Sequence, residues 1–238
     1  MGLKTIIRNL SQDRSAEAPG PDPYEELKRL SAHIAEPVIF DVGAHRGYIT
    51  TRFRKLIPSC TVYAFEPFPE SFERLAERNT TDARVCCYQH GLADHNGEIE
   101  LNANASPATN SILATDESAT ETWGSGLLDT RSTVSVEVKT LDSVIESLGV
   151  PRIDILKLDV QGAEPLVMAG AAELCRSRKI GLIYTEVITQ PTYRGQKRFD
   201  HALGVFYDLG FDLHNIYNLN STETGTLRQV DVIFAHAG

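Results

Sequence analysis

A short apolar segment that runs directly into a glycine turn constrains the fold of this chain more than any other feature. Residues Val38-Ile39-Phe40-Asp41 lead into Gly43-Ala44-His45-Arg46-Gly47, and a second apolar segment ends in Ala64-Phe65-Glu66-Pro67. Gly43 and Glu66 are 23 positions apart, as expected for a strand–helix–strand unit with an acidic second strand end. Because parallel strands end at one edge of a sheet, this unit predicts an α/β fold with a nucleoside-binding site at that edge.

The rest of the chain alternates segments of helical and of strand-like periodicity. Helices are predicted at 24–34, 48–57, from 69 onward, 141–148, 163–175 and 196–209. Strands are predicted at 38–41, 61–66, 84–89, 98–101, 133–138, 153–158, 180–187, 211–217 and 230–235. The turn Asn96-Gly97 predicts that 98–101 belongs to a small hairpin, and the last two strands form another. This order predicts a mostly parallel sheet with an antiparallel edge.

The composition is ordinary for a soluble globular protein and argues against several classes of function. The chain has 238 residues, of which 42% are hydrophobic, and a net charge of -9, so no basic stripe is expected for nucleic acid. The four cysteines lack metal-ligand spacing and are expected to be reduced thiols. The N-terminus lacks the apolar core of a signal peptide, and no apolar run approaches the ~18 residues of a membrane span. We therefore expect a cytoplasmic protein.

Two stretches depart from the regular alternation. Residues 1–36 are predicted to form an N-terminal arm with a helix, including a short helix at Leu3–Leu10, and 37–238 form the main domain. Residues 102–130 are rich in Ala, Ser, Thr and Asn, and we predict a lid-like insertion because long irregular loops are often binding loops. Trp123, the only tryptophan, either stacks on a substrate or anchors this insertion to the core.

The glycine turn also distinguishes between cofactors. A dinucleotide pyrophosphate needs the pattern G-x-G-x-x-G, and the turn at Gly43 lacks the middle glycine. Asp41 adds a carboxylate that would repel a pyrophosphate and attract the ammonium and sulfonium groups of S-adenosylmethionine. Glu66 is suited to accept hydrogen bonds from two ribose hydroxyls. These features favour S-adenosylmethionine over a nicotinamide dinucleotide.

Five segments occur in an order that resembles the FkbM-type methyltransferases, a branch of the class I S-adenosylmethionine-dependent enzymes. The segments are 41–47, 65–67, 91–97, 140–142 and 157–164. The resemblance covers roughly residues 37–234, and it departs from the family at His45, where asparagine is frequent, and at Gln161, where glutamate is common. It implies a Rossmann-like, seven-stranded, mostly parallel sheet with an antiparallel edge strand and helices on both faces.

The resemblance also implies which residues bind the cofactor. These are Asp41, Gly43, Ala44, His45, Gly47, Glu66, Pro67, Gly91, Leu92, Asp94 and Asp159. The glycine turn would border the methionine half, Glu66 the ribose, and the segment beginning at Gly91 the adenine. Asp159 would face the transferred methyl group.

Methyl transfer to an alcohol needs a base that takes the hydroxyl proton. Asp159 is the first candidate for this catalytic base, and Glu186, at the end of the next strand, is the second. Glu164 is expected to shape the site from a helix start. His90 and His201 are expected to be structural, with catalysis as the alternative. Asp159, Glu186 and His201 would offer ligands to a divalent cation, but no compact metal motif indicates one, and no metal ligand is assigned.

The polar segment 189–198 follows the same sheet edge, where Tyr193 and Arg194 either contact an acceptor or form part of an exposed charged surface. We interpret the chain as an O-methyltransferase that modifies a small hydroxylated acceptor, such as a sugar unit or a natural product. Two alternatives stay open at this point: a nicotinamide-dependent oxidoreductase and a non-catalytic cofactor-binding protein.

Overall fold

A seven-stranded sheet forms the centre of the computed structural model, which describes residues 21–236. The strands of the chain are β1 (Val38–Val42), β2 (Thr61–Phe65), β3 (Val85–Tyr88), β4 (Gly91–Leu92), β5 (Gly97–Asn104), β6 (Thr130–Lys139), β7 (Ile153–Leu158), β8 (Ile180–Ile188), β9 (Phe211–Ser221) and β10 (Leu227–His236). The large sheet has the order β3-β2-β1-β7-β8-β10-β9, and only β10 runs antiparallel to its neighbours. The seven-stranded, mostly parallel sheet with antiparallel pairing at one edge is confirmed, and the reversed strand lies second from that edge.

Helices cover both faces of this sheet. The α-helices of the described residues are α1 (Pro23–Leu30), α2 (Tyr48–Leu56), α3 (Pro69–Asn79), α4 (Ala119–Trp123), α5 (Leu141–Leu148), α6 (Glu164–Ala169), α7 (Ala172–Arg176) and α8 (Phe199–Asp208), of which α4 belongs to the insertion. Successive residues of a strand face opposite sides, so Ile39 packs with α1 and α2 whereas Phe40 packs with α5 to α8. None of the helices in residues 21–236 combines the length and apolar character needed to cross a bilayer. The helix predicted at Leu3–Leu10 lies outside the described residues.

The prediction of a small hairpin after Asn96-Gly97 is wrong in its pairing. Strand β6 lies between β4 and β5 in a separate three-stranded sheet, parallel to β4 and antiparallel to β5. The Asn96 side chain explains the arrangement, because its Oδ1 accepts hydrogen bonds from Thr140 N at 2.8 Å and Ser143 Oγ at 2.9 Å. The turn is therefore tied to the end of β6 and to the start of α5.

The single helix predicted at 163–175 is two helices, α6 and α7, and the break follows from a close backbone contact. A Cβ on Gly170 would lie 2.1 Å from the Ala93 carbonyl oxygen, so only glycine fits there. The Asp142 carboxylate then caps α7 by accepting hydrogen bonds from the amides of Glu173 and Leu174, both at 3.0 Å. The local periodicity could not reveal either contact.

The insertion at 102–130 is packed onto the segment that follows β8. Trp123 Nε1 donates to Thr192 Oγ1 at 2.7 Å, and Asp116 N donates to Thr192 O at 2.9 Å. Arg194 N donates to Ala114 O at 2.7 Å, and the Arg194 guanidinium pairs with the Glu117 carboxylate at 2.8 Å. Trp123 thus anchors the insertion, and Arg194 is engaged in the same interface.

Candidate functional site

The turn between β1 and α2 has a backbone conformation that favours glycine. Gly43 and Gly47 have φ values of 71° and 76°, in the left-handed region. A Cβ on Gly43 would lie 1.9 Å from the Asp159 carbonyl oxygen, so the turn is in backbone contact with the end of β7. The amides of Gly43 and Ala44 both donate to Phe65 O at 3.0 Å. The turn is therefore held between the ends of β2 and β7.

Glu66, directly after β2, presents its carboxylate to the turn. The residue is 7% exposed, and its Oε2 accepts from His45 N at 2.8 Å while its Oε1 accepts from Phe68 N at 2.9 Å. Each carboxylate oxygen has two lone pairs, so both keep acceptor capacity for a ligand hydroxyl. Burial raises the pKa of Glu66 to about 7, although the two backbone hydrogen bonds act in the opposite direction.

A cluster of three charges lies behind the glycine turn, in which Asp41 and Lys157 are buried and the Asp159 side chain is 40% exposed. Lys157 Nζ lies 3.1 Å from Asp41 Oδ1 and 3.6 Å from Asp159 Oδ2, and it donates to Gly43 O at 3.0 Å. Asp41 is completely buried and also accepts a hydrogen bond from Thr50 Oγ1 at 2.6 Å. Burial lowers the pKa of Lys157, but the two carboxylates outweigh this effect and raise the pKa above its ordinary value. The ammonium group is therefore charged.

This cluster corrects the argument from the charge of Asp41. The sequence suggested a carboxylate that attracts the cofactor directly, whereas Lys157 neutralises Asp41 and the side chain does not line the neighbouring cavity. Asp41 instead fixes Lys157, which in turn holds the glycine turn. The signal for Lys157 was a lysine within the largely apolar segment 153–158, directly between two leucines.

A main cavity opens between the glycine turn, the end of β2, β4 and the insertion. It encloses about 770 Å³ of space when its open mouth is counted. Its lining includes seven of the predicted cofactor residues: Gly43, His45, Glu66, Pro67, Gly91, Leu92 and Asp159. His45 Nε2 is a buried atom with no hydrogen-bond partner in the described part of the chain, so it is available to a ligand. Burial, followed by the charge of Arg46, lowers the pKa of His45.

The other predicted cofactor residues lie outside this lining. Ala44 packs against Leu75 in a small core under α3, and a Cβ on Gly47 would lie 2.9 Å from the same side chain. Both residues therefore shape the turn rather than face the cavity. Asp94 is exposed and its Oδ1 lies 2.7 Å from His95 Nδ1, outside the cavity lining, so its place near the adenine stays a prediction.

A second cavity adjoins the main cavity at Gln161, which lines both. Gln161 Nε2 donates to Asp159 Oδ1 at 2.8 Å and to Glu186 Oε2 at 3.5 Å, and its Oε1 accepts from the Tyr193 hydroxyl at 3.0 Å. The two candidate bases thus line different cavities, Asp159 the main one and Glu186 the second. The pKa of Glu186 is well above its ordinary value because of burial and, next, the charges of Asp159 and Asp231.

Glu164 holds the loop between β7 and α6. Its Oε1 accepts from Val160 N at 3.1 Å and from Gly162 N at 3.3 Å, and burial raises its pKa to about 7. The structure agrees with its expected role as a helix-start acid that shapes the site.

Neither histidine named as an alternative catalytic group lines the main or the second cavity. His90 is buried with its Nδ1 3.1 Å from Gly91 O and its ring against Phe65, which is a structural position. His201 is exposed on α8. Among residues 21–236, no three His, Cys, Asp or Glu side chains come together as a metal site, so His201 does not join Asp159 and Glu186 in one.

Known proteins are similar to this chain in sequence and in fold. The model of the methyltransferase FkbM domain matches residues 41–213. The 2-O-methyltransferase NoeI of Sinorhizobium fredii is 31% identical over 68% of this chain and 67% of its own length. The hexuronic acid methyltransferase AglP of Haloferax volcanii is 26% identical over 64% of this chain and 58% of AglP. The 31-O-demethyl-FK506 methyltransferase FkbM of Streptomyces tacrolimicus is 29% identical over 57% of this chain and 60% of that protein.

The match therefore spans about three fifths of the length of two of these relatives and two thirds of NoeI. A solved Listeria monocytogenes protein, assigned to the S-adenosylmethionine-dependent methyltransferases, covers 90% of this chain and 98% of its own with a TM-score of 0.51. At 9% identity, that likeness shows the fold alone. The family match includes the glycine turn, Glu66 and Asp159. The chain belongs to the FkbM family of S-adenosylmethionine-dependent methyltransferases.

Proposed function

We propose that this protein transfers the methyl group of S-adenosylmethionine to a hydroxyl oxygen of a small acceptor. The position of Asp159 carries the proposal, because its side chain lines the main cavity beside the glycine turn and contacts Gln161, which lines both cavities. A base between the two cavities would be close to a methyl donor in the main cavity and to an acceptor in the second cavity. NoeI and FkbM are named as O-methyltransferases, which supports the same reaction class here.

The main cavity has the donor set that S-adenosylmethionine needs. This cofactor supplies a methyl carbon bound to a positively charged sulfur, which is a good leaving group. Glu66 would accept hydrogen bonds from the ribose hydroxyls through the free lone pairs of its two oxygens. Gly43 and His45 would border the amino-acid end, and Pro67 with Leu92 would pack against the base. The turn needs no middle glycine because this cofactor has no pyrophosphate to approach.

The proton of the acceptor hydroxyl needs a destination during the transfer. Asp159 would accept the hydroxyl proton as the hydroxyl oxygen bonds to the methyl carbon, while the carbon–sulfur bond would break and leave its electron pair on sulfur. Lys157 keeps a positive charge 3.6 Å from that carboxylate, and Gln161 orients it through a 2.8 Å hydrogen bond. Alignment of the acceptor supplies much of the rate enhancement in such a displacement. Glu186 is the alternative base.

The acceptor and the cellular setting extend the same proposal. The acceptor is a small hydroxylated molecule, such as a sugar unit or a natural product, in keeping with the names of AglP and FkbM. The net charge of -9 argues against nucleic acid as the substrate. Reaction in the cytoplasm is supported by the four cysteines, all of which are unpaired thiols.

Affinity for S-adenosylhomocysteine is expected to rise with pH because ribose hydroxyls donate more strongly to an ionised carboxylate. The pKa of Glu66 is about 7 in the free protein, so the carboxylate is mostly protonated at pH 6 and mostly ionised at pH 8. Affinity should increase about tenfold between these pH values, and binding at pH 7 should release protons. Calorimetry in buffers of different ionisation enthalpy measures both effects.

Glu66→Gln is the control for this prediction. It should bind more weakly and with little pH dependence, and thermal unfolding verifies that the variant is folded. A wild-type affinity that does not change with pH, or a pH dependence that Glu66→Gln retains, would contradict the assigned role.

Cofactor binding and label transfer test the proposed function itself. We expect heat of binding with S-adenosylhomocysteine, no protection by NADH against thermal unfolding, and transfer of labelled methyl to a hydroxylated acceptor. Absence of heat at a high protein concentration overturns the proposal. Protection by NADH would favour an oxidoreductase, and cofactor binding without label transfer to any acceptor pool would favour a non-catalytic binding protein.

A further inference from the structure

The second cavity has walls of two kinds. One wall is apolar and consists of Trp123, Leu127, Leu128, Ile188 and the ring of Tyr193. The other wall is polar, where Gln229 Nε2 donates to Glu186 Oε1 at 2.5 Å and Gln161 faces both cavities. Such a pairing of an apolar wall with a few convergent polar groups is typical of a site for a small molecule.

The insertion builds most of the apolar wall. Trp123, Leu127 and Leu128 all belong to 102–130, and Trp123 is fixed by its hydrogen bond to Thr192. None of the seven predicted cofactor residues in the main cavity belongs to this wall. The two cavities share two lining residues, Ala108 of the insertion and Gln161. The second cavity is therefore open to an acceptor while the main cavity holds the cofactor.

The linings of both cavities contain carboxyl groups but, within residues 21–236, no lysine or arginine. Glu186 lines the second cavity, and Glu66 and Asp159 line the main cavity. Lys157 is bound to Asp41 and Asp159, and Arg228 donates to Asn220 Oδ1 at 2.7 Å with its guanidinium 5.0 Å from the Trp123 ring centroid. An anionic acceptor would lose its hydration without gaining a cation in this lining.

We propose that the acceptor binds in the second cavity as an uncharged hydroxylated ring, and that acidic acceptors are disfavoured because residues 21–236 place no lysine or arginine in the lining. The inference rests on the proposed methyl transfer and names the acceptor class for that site. The C–H face of the ring packs against Trp123 and Leu128, while Glu186 and Gln229 bind its hydroxyls. The hydroxyl directed towards Gln161 reaches Asp159. This selectivity is the opposite of the one that the name of AglP indicates for that protein.

The environment of Glu186 supports the selectivity independently. Burial raises its pKa, and the charges of Asp159, Asp231 and Glu164 raise it further, so the electrostatic field in this region is unfavourable to negative charge. An acceptor carboxylate would experience the same field.

The test compares two matched probes with the 238-residue protein and labelled S-adenosylmethionine. The probes are 4-nitrophenyl β-D-glucopyranoside and 4-nitrophenyl β-D-glucuronide, which differ only at C6, a hydroxymethyl group in the first and a carboxylate in the second. We expect kcat/KM to be at least ~10-fold higher for the neutral glycoside, because unpaired like charges are strongly disfavoured in a desolvated site. Equal or faster reaction of the glucuronide overturns the proposal.

Two variants make the test specific to this cavity. Leu127→Arg adds a cation to the lining at a residue that is 52% exposed, so folding should be spared, and the preference for the neutral probe should fall about tenfold. Leu219→Arg is the matched control, because Leu219 is 65% exposed on β9 and lines neither cavity. It should leave the ratio of the two kcat/KM values unchanged. An equal change of the ratio in both variants would overturn the assignment of the cavity.

Failure of this inference is distinguishable from failure of the proposed function. A protein that binds S-adenosylhomocysteine with the expected pH dependence but methylates neither glycoside refutes the uncharged ring as acceptor and leaves the cofactor site standing. A protein that binds no S-adenosylhomocysteine refutes the proposed function first.

Discussion

Lys157→Met is expected to lower the free energy of unfolding by about 3–5 kcal/mol, because it leaves a buried carboxylate without its cation. Asp41 is completely buried and Lys157 is only 4% exposed, so solvent cannot replace the lost ammonium group. The substitution also removes the hydrogen bond to Gly43 O, which fixes the cofactor turn. Urea unfolding followed by circular dichroism measures the loss as a shift of the midpoint at constant slope.

Two further variants separate the ion pair from the general effect of losing a lysine. Asp41→Asn/Lys157→Met removes both charges and should recover part of the lost stability, because the cost arises from one unpaired charge. Lys179→Met is the matched control at an exposed position, and it should change the free energy of unfolding by less than about 0.5 kcal/mol. An unchanged unfolding midpoint in Lys157→Met would show that the buried ion pair does not stabilise the fold.

Asp159→Asn is expected to reduce turnover by about 10²–10⁴, which is the usual contribution of a positioned general base. The amide keeps the size of the side chain and can still accept from Gln161 Nε2, so the shape of the junction between the two cavities should persist. The asparagine cannot take the acceptor proton. Affinity for S-adenosylhomocysteine should change by less than about threefold, since that binding needs no proton transfer. Label transfer at saturating cofactor and calorimetry measure the two effects separately.

Asp208→Asn is the matched control, because Asp208 is exposed at the end of α8 and lines neither cavity. It should leave both turnover and cofactor affinity unchanged. Turnover that survives Asp159→Asn would move the role of base to Glu186, and Glu186→Gln should then be the inactive variant. A large loss of affinity in Asp159→Asn would instead identify Asp159 as a cofactor-binding group.

The parts of the fold that depend on local signals could be predicted from the sequence. The strand before Gly43, the helix that follows and the acidic end of β2 all appear where the pattern of apolar and turn residues indicates. The helix capped by Thr140 is another such case, since its Oγ1 accepts from Ser143 N and Gly149 ends the helix in a left-handed conformation. In each case, the residues that decide the structure lie within about one helical turn of each other.

The parts that depend on distant residues could not be predicted in this way. The break at Gly170 depends on the Ala93 carbonyl, and the pairing of β5 depends on β6 across the whole insertion. The pairing of Asp41 also depends on a distant residue. The sequence suggests that its carboxylate is free to bind a ligand, whereas the structure pairs it with Lys157. Burial also changes the role of the Asp41 carboxylate, because a charge that is paired inside the protein cannot attract a ligand in the way an exposed charge does.

The contact between the glycine turn and Lys157 joins residues 114 positions apart in the chain. Strand β7 must therefore be synthesised and docked beside β1 before the cofactor site exists at all, and parallel pairing of such distant strands is a slow step in folding. Cofactor binding then stabilises only chains that have completed this assembly. A chain that ends before β7 lacks this contact, so we expect S-adenosylmethionine to stabilise only chains that contain β7.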